Sequence, residues 1–362
     1  MITEHRLHRF FNPRSIAMVG ASGDTEIIRG RFVVSIVEGG FSGDLYAVTR
    51  SHETIHGLKC YSKVADLPVT PDLAVIMVPA SVVAQLLEEC GQKGIKAALI
   101  LSSGFNEQGD RQGESRQRKL REIAAAYSMT VCGPNAEGFF NPAAALTATF
   151  SPALRGRGKP TSLTSSGVGI VSQSGGVGFA IFNRGLEKGL EASYVVSTGN
   201  EVDVDATSVV DYFLNDAHTS VAALFVEGLK DVSGFIDVAK SAAKKRKPLV
   251  MAKVGRSAAG QRASLSHTAT LTGQYSVYES VLGEHGVTFA DDLEQLIDVS
   301  HAFSKYTERP AKGRRVGILT SSGGAGIWMA DACAEAGLDV CELDDLTRAS
   351  LRTMMPAYGN GL

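Results

Sequence analysis

A single histidine lies in a segment of small residues. His267 is flanked by serine, threonine, alanine and leucine in ASLSHTATLTG, residues 263–273. A metal site is disfavoured, because no companion ligand stands at the usual spacing. An imidazole can act as a nucleophile or an acid–base group when a carboxylate orients it. Glu227, which ends the apolar run AALFVEG, is our candidate for that carboxylate. A purely structural histidine and a merely exposed glutamate remain open alternatives.

Two glycine-rich turns have the composition of anion sites. GASGD spans residues 20–24 and SQSGG spans residues 172–176. Each follows an apolar run and precedes a helical pattern, so backbone N–H groups and the positive end of a helix dipole would face a ligand. Such turns suit phosphate or pyrophosphate groups, although a tight turn without a ligand is an alternative for both.

The next expected strand, DLYAVTR, ends in Thr49 and Arg50 without an acidic residue. A carboxylate at this place would bind a bare ribose hydroxyl, whereas an arginine suits a phosphorylated ribose. At this point NADP is therefore a serious candidate for the ligand of the first turn.

These residues need a scaffold, and the chain repeats one. Three segments share a strand–glycine–helix pattern: SIAMVGASGD (15–24), VGIVSQSGGVGFAIF (168–182) and VGILTSSGGAGIWMA (316–330). The second and third match at an offset of 148 residues, which indicates an internal domain repeat. Alternating β and α patterns between them predict doubly wound parallel α/β sheets. Ligands bind beyond the carboxyl ends of the strands in such sheets.

The pattern predicts three domains. Residues 1–150 form a Rossmann-like domain, 151–306 form a flavodoxin-like domain, and 307–362 begin a second flavodoxin-like domain. The segment TERPAKG, residues 307–313, has linker composition. Because a lone βα unit cannot bury both faces of its strand, we expect the third domain to be truncated and the chain to be part of a longer polypeptide.

The composition restricts the class of protein. The 362 residues carry a net charge of −2, which gives no basis for nucleic-acid binding. The sequence predicts neither a signal peptide nor a membrane span. Five scattered cysteines without a CxxC pair favour a reduced, cytoplasmic protein.

The order of motifs resembles a known family. GASGD, Val78-Pro79, GPN at 133–135, SQSGG, Glu227-Gly228 and SHT follow one another as in the α part of the succinyl-CoA synthetase superfamily. The closer resemblance is to NDP-forming acyl-CoA synthetases of the ADP-forming acetyl-CoA synthetase type. It covers essentially the whole chain, through FFNPRSIAMVGAS, GPNAEGFFNP, GIVSQSGGVG and SHTATLTGQYSVYESV.

The resemblance implies an acid–CoA ligase with a Rossmann-like CoA-binding domain and flavodoxin-like domains. It would interconvert acyl-CoA, ADP and phosphate with carboxylic acid, CoA and ATP through an acyl phosphate and a phosphohistidine. By motif match, His267 would carry the phosphoryl group, Glu227 would orient its imidazole, and Ser174, Gly175 and Gly176 would receive the phosphoryl group. Coenzyme A would bind at Gly20, Ala21, Ser22, Thr49, Arg50, Val78, Pro79, Ser102 and Asn135.

The same resemblance implies partners. ATP or ADP with Mg²⁺ would bind an ATP-grasp part that this sequence lacks and that would lie in the same longer chain or in a β subunit. An oligomer is expected. A non-catalytic CoA-sensing module and, less favoured, an NADP-dependent dehydrogenase are the alternative functions.

Two positions depart from the family pattern. Ala136-Glu137-Gly138 stands where relatives usually carry Cys-Leu-Gly or Cys-Pro-Gly, and Ala269 replaces a glycine after Ser-His-Thr. The first change is expected near the acyl group, so the substrate need not be acetate. The second removes backbone freedom beside a histidine that we expect on a mobile loop.

Overall fold

The computed structural model describes residues 5–154, 167–268, 274–307, 309 and 311–355, except for the side chains of 264–268. Contacts divide the chain into two compact units, residues 1–307 and 308–362. The first unit contains two seven-stranded sheets. No helix in the described part of the chain combines the length and the apolar content that a membrane span requires.

The first sheet is built from the amino-terminal residues. Its elements are α1 (His8–Phe11), β1 (Ser15–Val19), α2 (Ile28–Glu38), β2 (Asp44–Val48), β3 (Thr54–Ile55), β4 (Leu58–Tyr61), β5 (Leu73–Ile76), α3 (Ala80–Gln92), β6 (Ala97–Ile100), α4 (Arg111–Tyr127) and β7 (Thr130–Cys132). The strand order is β3-β4-β2-β1-β5-β6-β7, and only the β3–β4 pair is antiparallel. The apolar runs of β5 and β6 are wholly buried, as parallel strands covered on both faces require.

The second sheet has the flavodoxin-like order with an added hairpin. Its elements are β8 (Gly138–Asn141), β9 (Leu146–Thr149), β10 (Gly167–Ser172), α5 (Gly175–Glu187), β11 (Ala192–Ser197), α6 (Ala206–Asn215), β12 (Thr219–Val226), α7 (Val232–Lys245), β13 (Leu249–Lys253), α8 (Ala258–Thr268), α9 (Tyr275–Glu284), β14 (Val287–Phe289) and α10 (Leu293–Tyr306). The strand order is β14-β13-β12-β10-β11-β8-β9. Strands β10 to β14 are parallel, whereas β8 and β9 pair antiparallel at one edge. The predicted doubly wound α/β fold is confirmed.

The hairpin β8–β9 lies before residue 150 in sequence but belongs to the second sheet. Phe139 and Phe140 of β8 pair with Val196 and Val195 of β11. The chain therefore passes from the first sheet to the second directly after the GPN segment, which brings that segment close to the strand ends of both sheets. The domain boundary at residue 150 stays a prediction.

Short polar side chains begin the helices of the second sheet. Asp205 accepts a hydrogen bond from the backbone N–H of Ser208 at the start of α6, and the Ser208 side chain completes a capping box. Asp231 accepts in the same way from Gly234 at the start of α7. These caps satisfy backbone donors that a helix leaves free, and Asp231 is thus a structural residue.

The second unit contains one small sheet. Its elements are β15 (Arg315–Val316), α11 (Gly323–Glu335), β16 (Asp339–Val340) and α12 (Asp345–Arg352), and the two strands are parallel. Helix α11 is displaced from α5 by 148 residues at both its ends, as the internal repeat predicts. The assignment of 307–362 to a truncated flavodoxin-like domain stays a prediction.

Candidate active site

The first candidate pocket is formed by residues that follow the strands of the first sheet, along the edge where the strands' carboxyl ends lie. Gly20 follows β1, and its backbone N–H donates a hydrogen bond to the Val48 carbonyl at the end of β2 (2.9 Å). Gly20 has a φ of +87°, and a Cβ there would lie 2.6 Å from Cγ1 of Val78 and 2.8 Å from the Met77 carbonyl oxygen. Only glycine fits this turn, which lets the ends of β1 and β5 approach each other.

The turn after Gly20 is longer than the sequence predicts. Ala21 and Ser22 are buried, and the Ser22 hydroxyl accepts from the backbone N–H of Asp24 at 3.2 Å. Helix α2 begins only at Ile28. The GASGD turn therefore does not run directly into the helix, and a ligand there would meet the turn's own backbone before the helix start.

The next strand ends continue the row through direct hydrogen bonds. The Ser102 hydroxyl, after β6, donates to the Val78 carbonyl at 2.5 Å. The backbone N–H of Asn135, after β7, donates to the Ser102 carbonyl at 2.9 Å. Pro79 immediately precedes α3. The structure thus brings Gly20, Val78, Ser102 and Asn135 to one edge.

Two basic residues frame the other end of this row. Thr49 is half-buried, and its N–H donates to the Tyr61 carbonyl at 2.9 Å, while Arg50 is exposed. Arg29 of α2 approaches the Gly20 carbonyl with Nη1 at 3.5 Å. Sequence reasoning missed Arg29, because a lone arginine on a helix carries no motif. Its guanidinium and that of Arg50 give this edge a positive charge suited to phosphate groups.

A second candidate pocket lies at the start of α5 in the second sheet. Ser174 precedes the helix, and Gly175 and Gly176 are its first two residues. A Cβ at Gly178 would lie 2.9 Å from Cβ of Ser172, so this glycine allows the helix to pack closely on β10. A Cβ at Gly176 would meet nothing within 4 Å. The open side of the helix start at Gly176 is where an anion can approach.

Gln173 joins this turn to Glu227. Its side-chain Oε1 accepts hydrogen bonds from the backbone N–H groups of Glu227 (2.6 Å) and Gly228 (3.1 Å). Its Nε2 donates to the Gly228 carbonyl at 2.7 Å. The amide therefore fixes the turn after β12 from which the Glu227 side chain projects. Glu227 itself is buried, with 9% of its surface exposed.

A buried lysine stands beside Glu227. Lys253 ends β13 with 2% of its surface exposed, and its register partner in β12 is Val226. Its ammonium donates to the Val254 carbonyl at 2.6 Å and lies 5.1 Å from the centre of the Tyr278 ring. Burial lowers the pKa of Lys253 to about 8, and the Glu227 carboxylate opposes that shift. The site thus combines a carboxylate with a cation that loses its proton readily.

A polar network connects the two strand-end regions. Glu107 accepts from the backbone N–H of Gly104 and from the amide of Asn200, both at 2.5 Å. Asn200 also approaches the Asn135 amide at 3.4 Å. The residues after β6, β7 and β11 are therefore held together, and they include the predicted CoA residue Asn135.

The network continues to Gln173 through a buried carboxyl group. Glu201 is 4% exposed and accepts hydrogen bonds from the Thr198 hydroxyl (2.9 Å) and the Ala206 N–H (3.0 Å). Burial raises the pKa of Glu201 to about 6, although Lys230 and a hydrogen bond with the Gln173 side chain both oppose the shift. Lys230 donates to the carbonyls of Asn200 and Glu201.

Glu137, which departs from the family pattern, packs against the start of α5. Its backbone N–H donates to the Ser197 hydroxyl at 3.0 Å. A Cβ on Gly175 would lie 2.5 Å from Cβ of Glu137 and 2.7 Å from its Oε2. Burial raises the pKa of the Glu137 carboxyl, against a hydrogen bond with the Ser151 side chain. The preceding residue, Ala136, is buried.

Position 267 lies in α8, not in a loop. The helix includes residues 258–268, whereas we expected the small residues around the histidine to form a mobile loop. Alanine and serine are compatible with a helix, and residues 258–263 are exposed or half-buried, so this part of the helix needs no apolar period. The side chain of His267 and the whole of Ala269 lie outside the described residues, so the pairing of His267 with Glu227 stays a prediction.

Several residues of these pockets belong to no recognisable sequence motif. Gln173 lies inside SQSGG, where the serine and glycine residues were the predicted anion ligands. In the sequence, Lys253 resembles any residue at the end of a strand, and Glu201 resembles any residue of a loop. Their one signal is a polar side chain near the carboxyl end of a buried strand, since Gln173 directly follows β10, Lys253 ends β13 and Glu201 lies a few residues after β11. Within the described residues, no cluster of three histidine, cysteine or acidic groups could hold a metal ion.

Two family profiles match this chain, one over each of the two sheets. A CoA-binding domain profile matches residues 14–142. The profile of the succinyl-CoA ligase-like flavodoxin domain matches residues 165–303. The predicted CoA site therefore lies in a domain of a CoA-binding family, and the Gln173–Glu227 site lies in the flavodoxin-like domain.

Relatives extend over nearly the whole chain. The α subunit of ADP-forming acetate–CoA ligase II from Pyrococcus furiosus is 36% identical over 350 residues, which is 97% of this chain and 73% of that protein. An ADP-forming acetate–CoA ligase from Methanocaldococcus jannaschii is 36% identical over 99% of this chain, which spans 48% of its length. The chain thus covers most of an α subunit and about half of the longer ligase.

A solved structure shows the same architecture. The dinucleotide-forming acetyl-coenzyme A synthetase 1 of Ca. Korarchaeum cryptofilum, in complex with phosphate and ADP, superposes with a TM-score of 0.86 at 33% identity. The match covers 98% of this chain and 74% of that one. The family expected from the motif order is confirmed, and the chain belongs to the ADP-forming acetate–CoA ligases, acid–thiol ligases, in their α-subunit part.

Proposed function

We propose that this chain is the CoA-binding and phosphoryl-carrying part of an ADP-forming acid–CoA ligase. The main support for this proposal is the hydrogen-bonded link between the SQSGG turn and Glu227 through Gln173. It joins an anion-binding helix start to a buried carboxylate in a flavodoxin-like domain of the succinyl-CoA ligase type. Those are the two groups that a phosphohistidine relay needs beside its histidine.

The proposed reaction divides the work between the two sheets. Coenzyme A binds along the row from Gly20 to Asn135, with its phosphates near Arg29 and Arg50. Phosphate attacks the acyl-CoA carbonyl, the C–S bond breaks, and acyl phosphate and CoA result. His267 then attacks the phosphorus, and the P–O bond to the acid breaks, which releases the carboxylate. Glu227 accepts a hydrogen bond from the imidazole N–H, so the ring that becomes phosphorylated carries its charge next to a carboxylate.

The remaining step needs a second part. The phosphohistidine transfers its phosphoryl group to ADP in an ATP-grasp domain, with Mg²⁺ at the nucleotide, either in a longer chain or in a β subunit. The α-subunit relatives support the second arrangement. An oligomer and a cytoplasmic location also belong to this proposal, the latter supported by free cysteines throughout the described residues.

The alternative functions have less support. A CoA-sensing module would need neither His267 nor a braced Glu227, and the chain retains both. An NADP-dependent dehydrogenase would explain Arg50, but the profile that matches residues 14–142 is that of a CoA-binding domain. Thermal-shift titrations with CoA and with NADP show which of the two ligands stabilises the protein. Stabilisation by NADP alone would contradict the proposal.

The decisive assay combines the chain with its ATP-grasp part. A panel of carboxylic acids is incubated with CoA and ATP, and thioester formation is measured. The proposal predicts a thioester and ADP in equal amounts, and AMP as the nucleotide product would contradict it. A His267→Ala variant should form no thioester, while His285→Ala, on a residue outside both pockets, should retain activity.

A further inference from the structure

A pocket of about 450 Å³ lies along α5, next to the proposed phosphoryl site. Gly176, one of the two glycines that start the helix, lines it. Glu137 also lines the pocket, beside the helix start, and Asn135, two residues upstream, is one of the predicted CoA residues. Pockets of this size bind small organic ligands. The pocket therefore stands where an acyl group would extend from a carbonyl held between the CoA row and the helix start.

One part of the pocket is apolar. Phe179 and Ala180 of α5 line it together with Pro152 and Ala153, which lie in the short helical turn after β9. These apolar groups offer no hydrogen bond to a charged group. Their contact with carbon atoms of a ligand is favourable, because it removes apolar surface from water. The tail of the ligand is thus expected to be largely hydrocarbon, and the volume accommodates a tail longer than the methyl group of acetate.

The other part of the pocket is polar and acidic. Glu137, Ser151 and Asn183 line it, and no lysine or arginine is among the described residues that do so. The Glu137 carboxyl is half-buried, accepts from Ser151, and has its pKa raised by burial. A carboxyl group in this setting gains most from an additional hydrogen-bond donor. It repels a second carboxylate at short range, because desolvation weakens the screening between like charges.

We propose that this pocket selects the acid, and that Glu137 favours monocarboxylic acids whose tail carries a hydroxyl or amino donor over dicarboxylic acids and over plain acids of equal length. The inference rests on the proposed ligase function. The reacting carboxyl end is held between Asn135 and the start of α5, and the donor of the tail reaches the Glu137 carboxyl, which lies beside Gly175.

The test uses the chain together with its ATP-grasp part. Values of kcat/KM for CoA-thioester formation are compared within matched sets: butyrate, 4-hydroxybutyrate, 4-aminobutyrate and succinate, and cinnamate with 4-hydroxycinnamate. In the wild type, the donor-bearing member of at least one set should exceed its plain counterpart by about tenfold to a hundredfold, the range of a hydrogen bond to a charged group. Succinate should be the poorest acid of its set. The hydroxyl and amino members show which donor the pocket takes.

Substitutions of Glu137 test whether its side chain causes the preference for donor-bearing acids. Glu137→Leu should lose the donor preference and improve the plain acids. Glu137→Gln keeps the size of the side chain, so it remains informative if the leucine variant unfolds, and it should raise the relative rate with succinate. Glu122→Leu, on the exposed face of α4, is the matched control. Equal donor-to-plain ratios in the wild type and in both Glu137 variants would overturn the inference while the ligase function stands. No thioester with any acid would overturn both.

Discussion

The side-chain amide of Gln173 lies 2.6 Å from the backbone nitrogen of Glu227, and it holds the turn after β12 against the start of α5. This contact couples the turn proposed to bind an anion to the carboxylate proposed to orient His267. The two groups lie 54 residues apart in sequence and on neighbouring strands of the sheet. The functional pair is therefore positioned by an amide that itself need not touch the substrate.

Gln173→Ala should slow phosphorylation of the chain by about tenfold or more, because loss of orientation at a reacting group is costly. Two backbone N–H groups would lose their acceptor, which costs about 1–3 kcal/mol of folding free energy. CoA affinity should change little, since the CoA row belongs to the other sheet. Phosphorylation rate and CoA dissociation constant are measured in parallel, with Gln85→Ala, an exposed residue on α3, as the control. A parallel loss of both quantities would argue for general unfolding instead.

Gly20→Ala should weaken both the fold and CoA binding. The new Cβ would lie 2.6 Å from Val78 and 2.8 Å from a carbonyl oxygen, in a backbone with φ of +87°. We expect a loss of about 2–5 kcal/mol in the free energy of unfolding, because a crowding cost of about 1–3 kcal/mol adds to the conformational cost of about 1–2 kcal/mol. Gly57→Ala is the matched control, because its φ is +79° but nothing lies within 4 Å of the added Cβ. Only the conformational cost of about 1–2 kcal/mol applies there. Equal destabilisation and equal CoA affinity in the two variants would show that crowding at Val78 has no effect.

Glu201 makes stability depend on pH. Its pKa is raised from 4.5 to about 6, so the folded state retains the proton over a range in which the unfolded state has lost it. The free energy of unfolding should therefore fall as pH rises from about 4.5 to about 6, by about 2 kcal/mol, and show no further contribution above that range. Glu201→Gln should remove this slope. Urea unfolding at several pH values measures the difference between wild type and variant, and an unchanged slope would place the titration elsewhere.

Much of the architecture is predictable from local pattern. The apolar runs before GASGD and SQSGG give β1 and β10, and the repeat at an offset of 148 residues gives both α5 and α11. Strand ends were identified closely enough to bring Gly20, Val78, Ser102 and Asn135 to one edge. These features depend on neighbours in the sequence or on the rule that parallel strands end together.

Long-range features are not predictable in the same way. The hairpin of β8 and β9 joins the second sheet because β11 offers it an edge, and no local pattern records that partner. The direction of the Gln173 side chain depends on a turn 54 residues away. Helix α8 was expected to be a loop because small residues carry no apolar period, although their backbone propensities permit a helix.

The most direct test of the account is the identity of the phosphorylated residue. The chain is incubated with its ATP-grasp part and radiolabelled ATP, and the protein-bound phosphate is tested for stability in acid and in base. We predict phosphate that is labile in acid and stable in base, located at residue 267, and absent from a His267→Ala variant that still binds CoA. Label of undiminished amount on His267→Ala, or phosphate stable in acid, would contradict the relay.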